Sequence, residues 1–485
     1  MVQQGDVSTA VVVGSGPNGL AAAIRLAQEG VRVRVLEAGD TVGGGARSSE
    51  HTVPGLVHDD CSAFHPMGVA SPFLRTLGLE DHGLRWRWPR IDLAHPLDSG
   101  AAGVMWRDID RTAEAMSEDG RAWLRTFGHL SRSFDGLAED VLRPVVRWPA
   151  HPVTLGAFGI GALAPASWTV RRWRRPQTRA LFGGVAAHAF SSLRTPMSSA
   201  VGLLLTAAGH AYGWPVAQGG SQAVADAMAA KVAELGGTIE TGVRADSIEA
   251  LDAPDIVMLD VAPKAAVEFL GDRLPAGIAR AYRRYKYGPG AHKVDFAIEG
   301  GIPWTSEFCR EAGTLHLGGT FEEVAEAEGK TVRGIMPSRP FVLVGQQYLA
   351  DPSRSVGGIN PVWAYAHVPN GYRGDATEAV IEQIERFAPG FRRRIVARHV
   401  RSVPQMEQYN PNYVGGDISV GANNVLQTAM RPRVGLNPYS TGILGVYLCS
   451  SATPPGAGVH GMCGYNAAES ALRDLGVWDP ASPGA

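Results

Sequence analysis

Ala10-Val11-Val12-Val13-Gly14-Ser15-Gly16-Pro17-Asn18-Gly19 is the stretch on which the reading of this 485-residue chain turns. Its four leading apolar residues predict a short buried strand, and Leu20 to Gln28 predict a helix. Gly14 permits a tight turn out of the strand. Gly16 lets the backbone approach a pyrophosphate with no Cβ in the way, and Gly19 lets the helix pack on the sheet. Pro17 and Asn18 stand between them at the helix N-terminus, whose free N–H groups bind anions. A second apolar run, 31–36, ends at Glu37, 23 positions after Gly14, where an acid accepts the hydroxyls of a ribose. Strand, glycine turn, helix, strand and acid in this order predict a dinucleotide-binding βαβ unit. The bland alternative is a glycine turn in a loop.

Outward from this unit, bulk composition removes several function classes. Net charge is −2 with 19% charged residues, which gives no electrostatic reason to expect nucleic acid. The four cysteines, Cys61, Cys309, Cys449 and Cys463, show no C-x-x-C spacing, so neither a metal site nor a redox dithiol is expected. Cys449 and Cys463 flank a C-terminal glycine loop and read as buried structural thiols. Residues 1–8 are polar and lack a secretory-signal pattern, and no stretch reaches the roughly 18 apolar residues of a membrane span. A cytoplasmic protein is the expectation.

Along the chain, a cofactor domain is interrupted by a second domain. The expected first segment of the cofactor domain is 1–75, and 76–214, rich in Trp, Arg and Pro with a helical patch at 121–142, opens the substrate domain. Residues 215–290 return to the cofactor domain: Gly219-Gly220-Ser221 opens a helix, Gly236-Gly237 stops it, and 238–243 comes next as a strand. Alternating strands dominate 291–434, the second substrate segment, with a helix at 376–387 among them. Residues 435–485 close the cofactor domain with a strand at 445–449, a Gly/Pro-rich loop and a helix at 464–475. The expected class is α/β: a glutathione-reductase-type FAD-binding Rossmann-like domain carrying an inserted α+β substrate domain.

The residues just beyond Glu37 decide for FAD. Ala38 and then Gly43-Gly44-Gly45-Ala46-Arg47-Ser48 resemble the extension that succeeds the ribose acid in glutathione-reductase-type FAD proteins. In that family small residues allow the loop to pass closely and the arginine supports the diphosphate; the alternative is a solvated loop with a surface arginine. No second strand–GxGxxG–helix unit is present, so a separate NAD(P)H domain is not expected. With these residues in place, most of the chain resembles the phytoene desaturase-like branch of the FAD-dependent amine oxidase superfamily. The resemblance implies that the strand ending at Val243 places its backbone on the adenine. It also implies that Gly445 to Met462 is the final flavin-binding motif, with Gly458, Val459 and Met462 beside the cofactor. The family's Gly-Asp pair reads Ser450-Ser451 here, so the acid that touches the ribityl chain is absent.

Three side chains are candidates for chemistry. Lys293 is one of only five lysines among 45 basic residues, and its strand resembles the amine-oxidase strand whose lysine holds a water at flavin N5. The alternative is a surface lysine on an alternating strand. His460 lies in the terminal glycine loop, and His65 comes after Asp60-Cys61-Ser62-Ala63-Phe64, a segment that runs under the isoalloxazine in the superfamily. Both have a structural alternative, a histidine bonded to a loop carbonyl or packed in a core. The expected function is desaturation of a C–C or C–N bond in an apolar or amine-bearing small molecule by hydride transfer to flavin. A flavin-dependent isomerase or saturase, and a non-catalytic lipid-binding protein like the GDP-dissociation inhibitors, are the alternatives. Residues 155–168 are apolar and Gly/Ala-rich, with Trp168, Arg171, Arg172, Trp173, Arg174 and Arg175 at their end, the pattern of a peripheral membrane contact. A solvated basic helix end is the blander reading.

Overall fold

The computed structural model describes residues 8–144 and 147–476. The first strand, Thr9–Val13, sits at the centre of a five-stranded sheet in the order 446–448, 256–259, 9–13, 32–36, 238–240, and every pairing is parallel. Numbered along the chain, that order is the Rossmann 3-2-1-4-5. Both faces of a parallel sheet must be covered, so alternate residues of one strand serve two cores. Ala10 and Val12 pack with Leu20, Ile24 and Ala467 of the helices Pro17–Gln28 and Met462–Asp474. Val11 and Val13 face Phe269, Leu270 and Tyr282 on the other side.

Between the strands of this sheet the chain leaves twice to build a second one. Its order is 395–401, 290–299, 359–368, 342–345, 312–317, 91–96, 102–105, antiparallel except where 312–317 runs parallel to 91–96. Val294, Phe296 and Ile298 of Gly290–Glu299 belong to the core under the helix Thr377–Phe387. Lys293 and Asp295 therefore project from the opposite face, the one turned toward the Rossmann-like half, where Trp363 and Tyr365 also project. A helical layer completes the second domain. Trp123, Phe127, Trp173 and Phe182 form its aromatic centre, with ring centroids 4.4 to 6.2 Å apart.

Three elements differ from the sequence reading. The helical patch at 121–142 is two helices, Gly120–Arg132 and Phe134–Val141, with the break at Ser133. The strand expected at 238–243 stops at Glu240, because the chain turns at Gly242 (φ +69°) and ties its next amide, Val243 N–H, to Glu37 O at 2.8 Å. The apolar run at 155–168 belongs to a helix, Pro152–Ala162, and a 95° bend then leads into Ala166–Arg172. Pro165 precedes the second piece and starts it afresh. Among the described residues no single helix is long and apolar enough to cross a membrane.

A close backbone contact joins the first helix to the last. A Cβ on Gly464 would lie 1.8 Å from Asn18 O and 2.9 Å from Ala22 N, so only glycine lets the two helices cross at this distance. Gly464→Val should lower stability by about 3 kcal/mol or more, because backbone has to move to admit the side chain. Gly277→Ala, on an exposed helix with nothing within 4 Å of the added methyl, should be neutral or stabilising by up to about 1 kcal/mol. Chemical denaturation compares the two, and a Gly464→Val protein as stable as wild type would mean the helices do not cross so closely.

Candidate active site

The glycine turn is built as a place where backbone alone is admitted. Gly14 (φ +99°) donates its N–H to Leu36 O at 2.8 Å, and a Cβ on Gly19 would meet Gly14 O at 2.1 Å. The second glycine loop lies directly on the first. Gly43 N–H bonds Ser15 O at 3.0 Å, and a Cβ on Gly44 would be 3.0 Å from Gly16 Cα. Gly45 is roofed by Tyr413, whose hydroxyl stands 2.1 Å from the position its Cβ would take. Glu37 ties these pieces together: one carboxylate oxygen accepts from Ser15 N–H (2.9 Å) and Ser15 Oγ (2.6 Å), the other from Gly39 N–H (2.8 Å) and Arg47 Nη2 (3.0 Å).

A continuous cavity of about 1100 Å³ begins at this turn, slightly above the usual range of small-ligand pockets. Every residue expected along the ADP half lines it, from Gly14, Gly16, Pro17 and Asn18 through Glu37, Ala38, Gly44, Gly45 and Arg47 to Val243, with the exception of Gly19. Gly19 is spent on helix-to-turn packing. Asn18 Oδ1 is buried without a partner, while its Nδ2 donates to Ser451 Oγ at 3.2 Å, so Ser451 links the first motif to the last. These features fit FAD: a Cβ-free cradle for the diphosphate, an acid at the ribose position, and an orphaned polar atom on the path between them.

At the far end of the cavity the C-terminal loop carries Gly456, Gly458 and Gly461, all with positive φ, before the helix Met462–Asp474 begins. Gly458 and Val459 line the cavity and Met462 does not; its N–H is held by His460 Nδ1 at 3.0 Å. His460 is buried, and its carbonyl accepts from Ser71 Oγ at 2.6 Å. Burial pushes the imidazole down to about 4, with backbone bonds at Ala457 and Gly456 opposing, so at neutral pH it is an uncharged brace of the loop. His65 also lines the cavity and is pushed down to about 4 by burial. Its Nε2 lies 2.9 Å from Ser221 Oγ, which donates to Ser62 O at 2.6 Å. Ser221 therefore accepts from the ring, which places the proton on Nε2 and leaves the buried Nδ1 unpartnered.

Lys293 was expected at flavin N5. It is buried and faces the Rossmann-like half, but it does not line the cavity. The ammonium is captured by Asp295, two positions along the same strand face. Burial draws the Asp295 carboxyl upward, but Lys293, His399 and His58 outweigh it and hold the group well below the usual carboxylate range. Lys293 is thus an ion-paired cation standing behind Cys61, whose residue does line the cavity. Around the pair, His51 stacks on His399 at 4.3 Å and bonds Asp60 at 2.5 Å, and Arg401 reaches Asp60 at 3.3 Å. His51, Asp295 and His399 have spacing that a metal ion could use; Lys293 bonds one oxygen of Asp295, and Arg401 bonds the neighbouring Asp60. The cluster is an ion-pair network fastening the second sheet to the segment 51–60. Lys293→Met leaves Asp295 a buried unpaired charge and should lower stability by about 3–5 kcal/mol, with Lys293→Met/Asp295→Leu recovering most of the loss. A single mutant that unfolds like wild type would show that the network does not fasten the two parts.

The substrate end of the cavity was not legible residue by residue. Phe64, Phe190, Trp214, Thr314, Leu343, Trp363 and Tyr365 enclose it. Trp363 and Tyr365 meet edge to face at 4.9 Å and Phe190 stacks on Tyr365 at 6.1 Å. Strict alternation along Ile359–Val368 was the available signal for the first two. Phe190 (φ +48°) and Met197 (φ +67°) are held in the left-handed region at the wall of this chamber, strain of a kind that gathers at functional sites. Asp260, at the turn end, was also missed. It comes directly after the buried strand Ile256–Leu259, at the carboxyl end where ligands of parallel sheets bind.

A family profile described as an NAD(P)-binding Rossmann-like domain matches residues 12–77. The chain is 24% identical to the rat pyridine nucleotide-disulfide oxidoreductase domain-containing protein 2, over 96% of this chain and 93% of that protein. Among solved structures, an oxidoreductase from Methanosarcina mazei superposes with a TM-score of 0.62 at 15% identity, over 96% of this chain and 100% of the other. A redesigned variant of putrescine oxidase gives 0.59 at 17% identity, over 97% and 100%. The chain thus carries a Rossmann-like nucleotide-binding segment at its start and shares its overall fold, across both sheets, with the Methanosarcina mazei oxidoreductase and putrescine oxidase.

Proposed function

We propose that the chain is an FAD-dependent dehydrogenase or oxidase that desaturates a C–C or C–N bond in an uncharged, apolar small molecule. When bound, FAD supplies the two-electron acceptor, and the protein supplies orientation and exclusion of water. The observation that carries the substrate class is the charge distribution along the cavity. Its acidic lining residues are Glu37, Asp260, Asp246 and Glu268 toward the nucleotide end, and Asp140, bonded to Arg147 at 2.9 Å. Among the described residues the aromatic chamber has none. Burial pushes its histidines down, His65 to about 4 and His188 to about 3, and His188 shares a 2.9 Å hydrogen bond with His316. A cationic amine there would be buried without a counter-charge, at several kcal/mol. Thr314 Oγ1, Trp214 Nε1 and His65 Nδ1 are buried without protein partners, which supports a substrate with a neutral polar substituent.

Anaerobic mixing with a panel of matched compounds tests this reading through bleaching of the visible flavin band. Uncharged apolar alcohols, ketones and alkyl chains with an activated C–H should reduce the flavin at least about 100-fold faster at pH 7 than primary di- and monoamines of equal size, the factor for one unpaired buried charge of about 3 kcal/mol. Fast reduction by charged amines with none by neutral compounds would refute it.

The cavity wall supports a lipid-surface contact as well. Leu155, Phe158, Gly159 and Ala162 of the helix Pro152–Ala162 line the cavity, while Val153 and Ile160 on its outer face, and Leu163 just beyond it, are exposed. The helix carries no charged residue. Trp148 is 93% exposed and Trp168 61%, and Arg171, Arg172 and Arg174 are exposed at the adjoining end. Apolar face, interfacial tryptophans and arginines together suit an anionic bilayer. Flotation at low salt should recover the protein with vesicles containing anionic lipid and not with neutral phosphatidylcholine alone, and Val153→Glu/Ile160→Glu should abolish it with flavin content unchanged. Absence of flotation for the wild type ends the membrane proposal.

A further inference from the structure

Asp260 is fixed over the glycine turn by its own backbone, whose N–H bonds Val13 O at 2.9 Å. Its Oδ2 accepts the Gly19 N–H at 3.0 Å, and the Gly16 N–H also donates to the carboxylate. A Cβ on Gly16 would lie 2.6 Å from Oδ2. Of the other backbone donors here, Ser15 N–H is held by Glu37 and Leu20 N–H by Gly16 O, and Pro17 has none. The carboxylate thus holds two of the N–H groups that a helix N-terminus offers to an anion. Asp260 lines the cavity, so the exposure it keeps faces the space at the diphosphate cradle.

The surroundings disfavour a second anion. Burial pushes the Asp260 carboxyl up to about 7; the Gly19 and Gly16 bonds oppose this, and the Glu37 charge adds to it. From the neighbouring strand and the last helix it faces the thiols of Cys449 and Cys463, both raised by burial and therefore uncharged. Asn412, from the loop on its other side, bonds the Asp260 carbonyl through a neutral amide at 3.2 Å. No cation is among the groups acting on it, and Arg47 is already bonded to Glu37. A doubly charged diphosphate beside an ionised Asp260 would gather three negative charges, besides Glu37, in a desolvated place, where like charges strongly disfavour ionisation.

We propose that FAD loads into this site together with one proton, which Asp260 takes up and keeps, so that Asp260 is a neutral acid in the loaded protein. The inference rests on the assignment of FAD to this cavity. The proton comes from solvent and no bond other than O–H is made. Because Asp260 in the free protein is neutral below about pH 7 and ionised above it, FAD affinity is flat at acid pH. Above neutrality it falls about tenfold per pH unit, by linkage.

Holoprotein diluted to low concentration at a series of pH values between about 5.5 and 9 releases FAD, read by recovery of flavin fluorescence, and gives Kd directly. The expected plot of log Kd against pH is level and then rises with a slope near 1. Asp260→Asn, nearly isosteric and unable to ionise, should give a level plot and bind FAD about tenfold or more tightly than wild type at pH 8.5. A wild-type plot that stays level, or an Asp260→Asn plot that keeps the wild-type slope, overturns the proposal. Should the variant not fold, calorimetric titration of wild-type apoprotein in two buffers of different ionisation heat counts the proton: about one at pH 8 and near zero at pH 5.5 support it, and none at pH 8 overturns it. Failure to bind FAD at any pH would instead refute the cofactor assignment, so the two failures are told apart.

Discussion

The two glycine loops at the nucleotide end, Gly14–Gly19 and Gly43–Gly45, lie so close that a Cβ on Gly44 would sit 3.0 Å from Gly16 Cα. That contact sets the terms for the rest of the chain. An anionic diphosphate removed from water needs backbone N–H groups aimed at it and nothing bulkier in the way. Glu37 can brace both loops only because the second strand ends beside the turn, and Val243 N–H meets Glu37 O only because the chain turns at Gly242. The last helix must cross the first at Gly464 for the C-terminal loop to reach the other end of the cavity. Segments far apart in sequence are thereby forced into one sheet, and the second domain grows from the connections between them.

Polarity divides the cavity into two working halves. The nucleotide half is lined by backbone amides, Glu37, Arg47 and Asp260, groups suited to charge and ribose hydroxyls. The substrate half is aromatic, with neutral histidines whose basicity burial has removed. In the proposed reaction the flavin accepts the hydride and requires little acid–base chemistry from its protein, and the side chains of this half offer shape and dryness instead. The Lys293–Asp295 pair stands one layer behind this surface and fastens the domains to each other.

Local patterns were the legible ones. The fingerprint, Glu37 and Arg47 were readable because each is a residue type at a fixed distance along one short segment, and these residues line the same end of the cavity. The chamber was not, since Phe190 comes from a loop and Thr314, Leu343, Trp363 and Tyr365 from three strands that only the fold brings together. Lys293 shows what a rarity argument leaves out: it singled out the residue but not its partner two positions along the strand, which strand-face alternation places beside it. Asp260 was passed over because an acid after a buried strand is ordinary in sequence. Its position becomes unusual only once the strand is paired with the first one.

One direct measurement is the identity and stoichiometry of the flavin in the purified protein. Visible absorption gives the content, and denaturation with chromatography of the supernatant identifies the released flavin. One FAD per chain is the expected result. A colourless protein that cannot be reconstituted with FAD, or one carrying FMN without the adenylate that the glycine turn is built to hold, would contradict it.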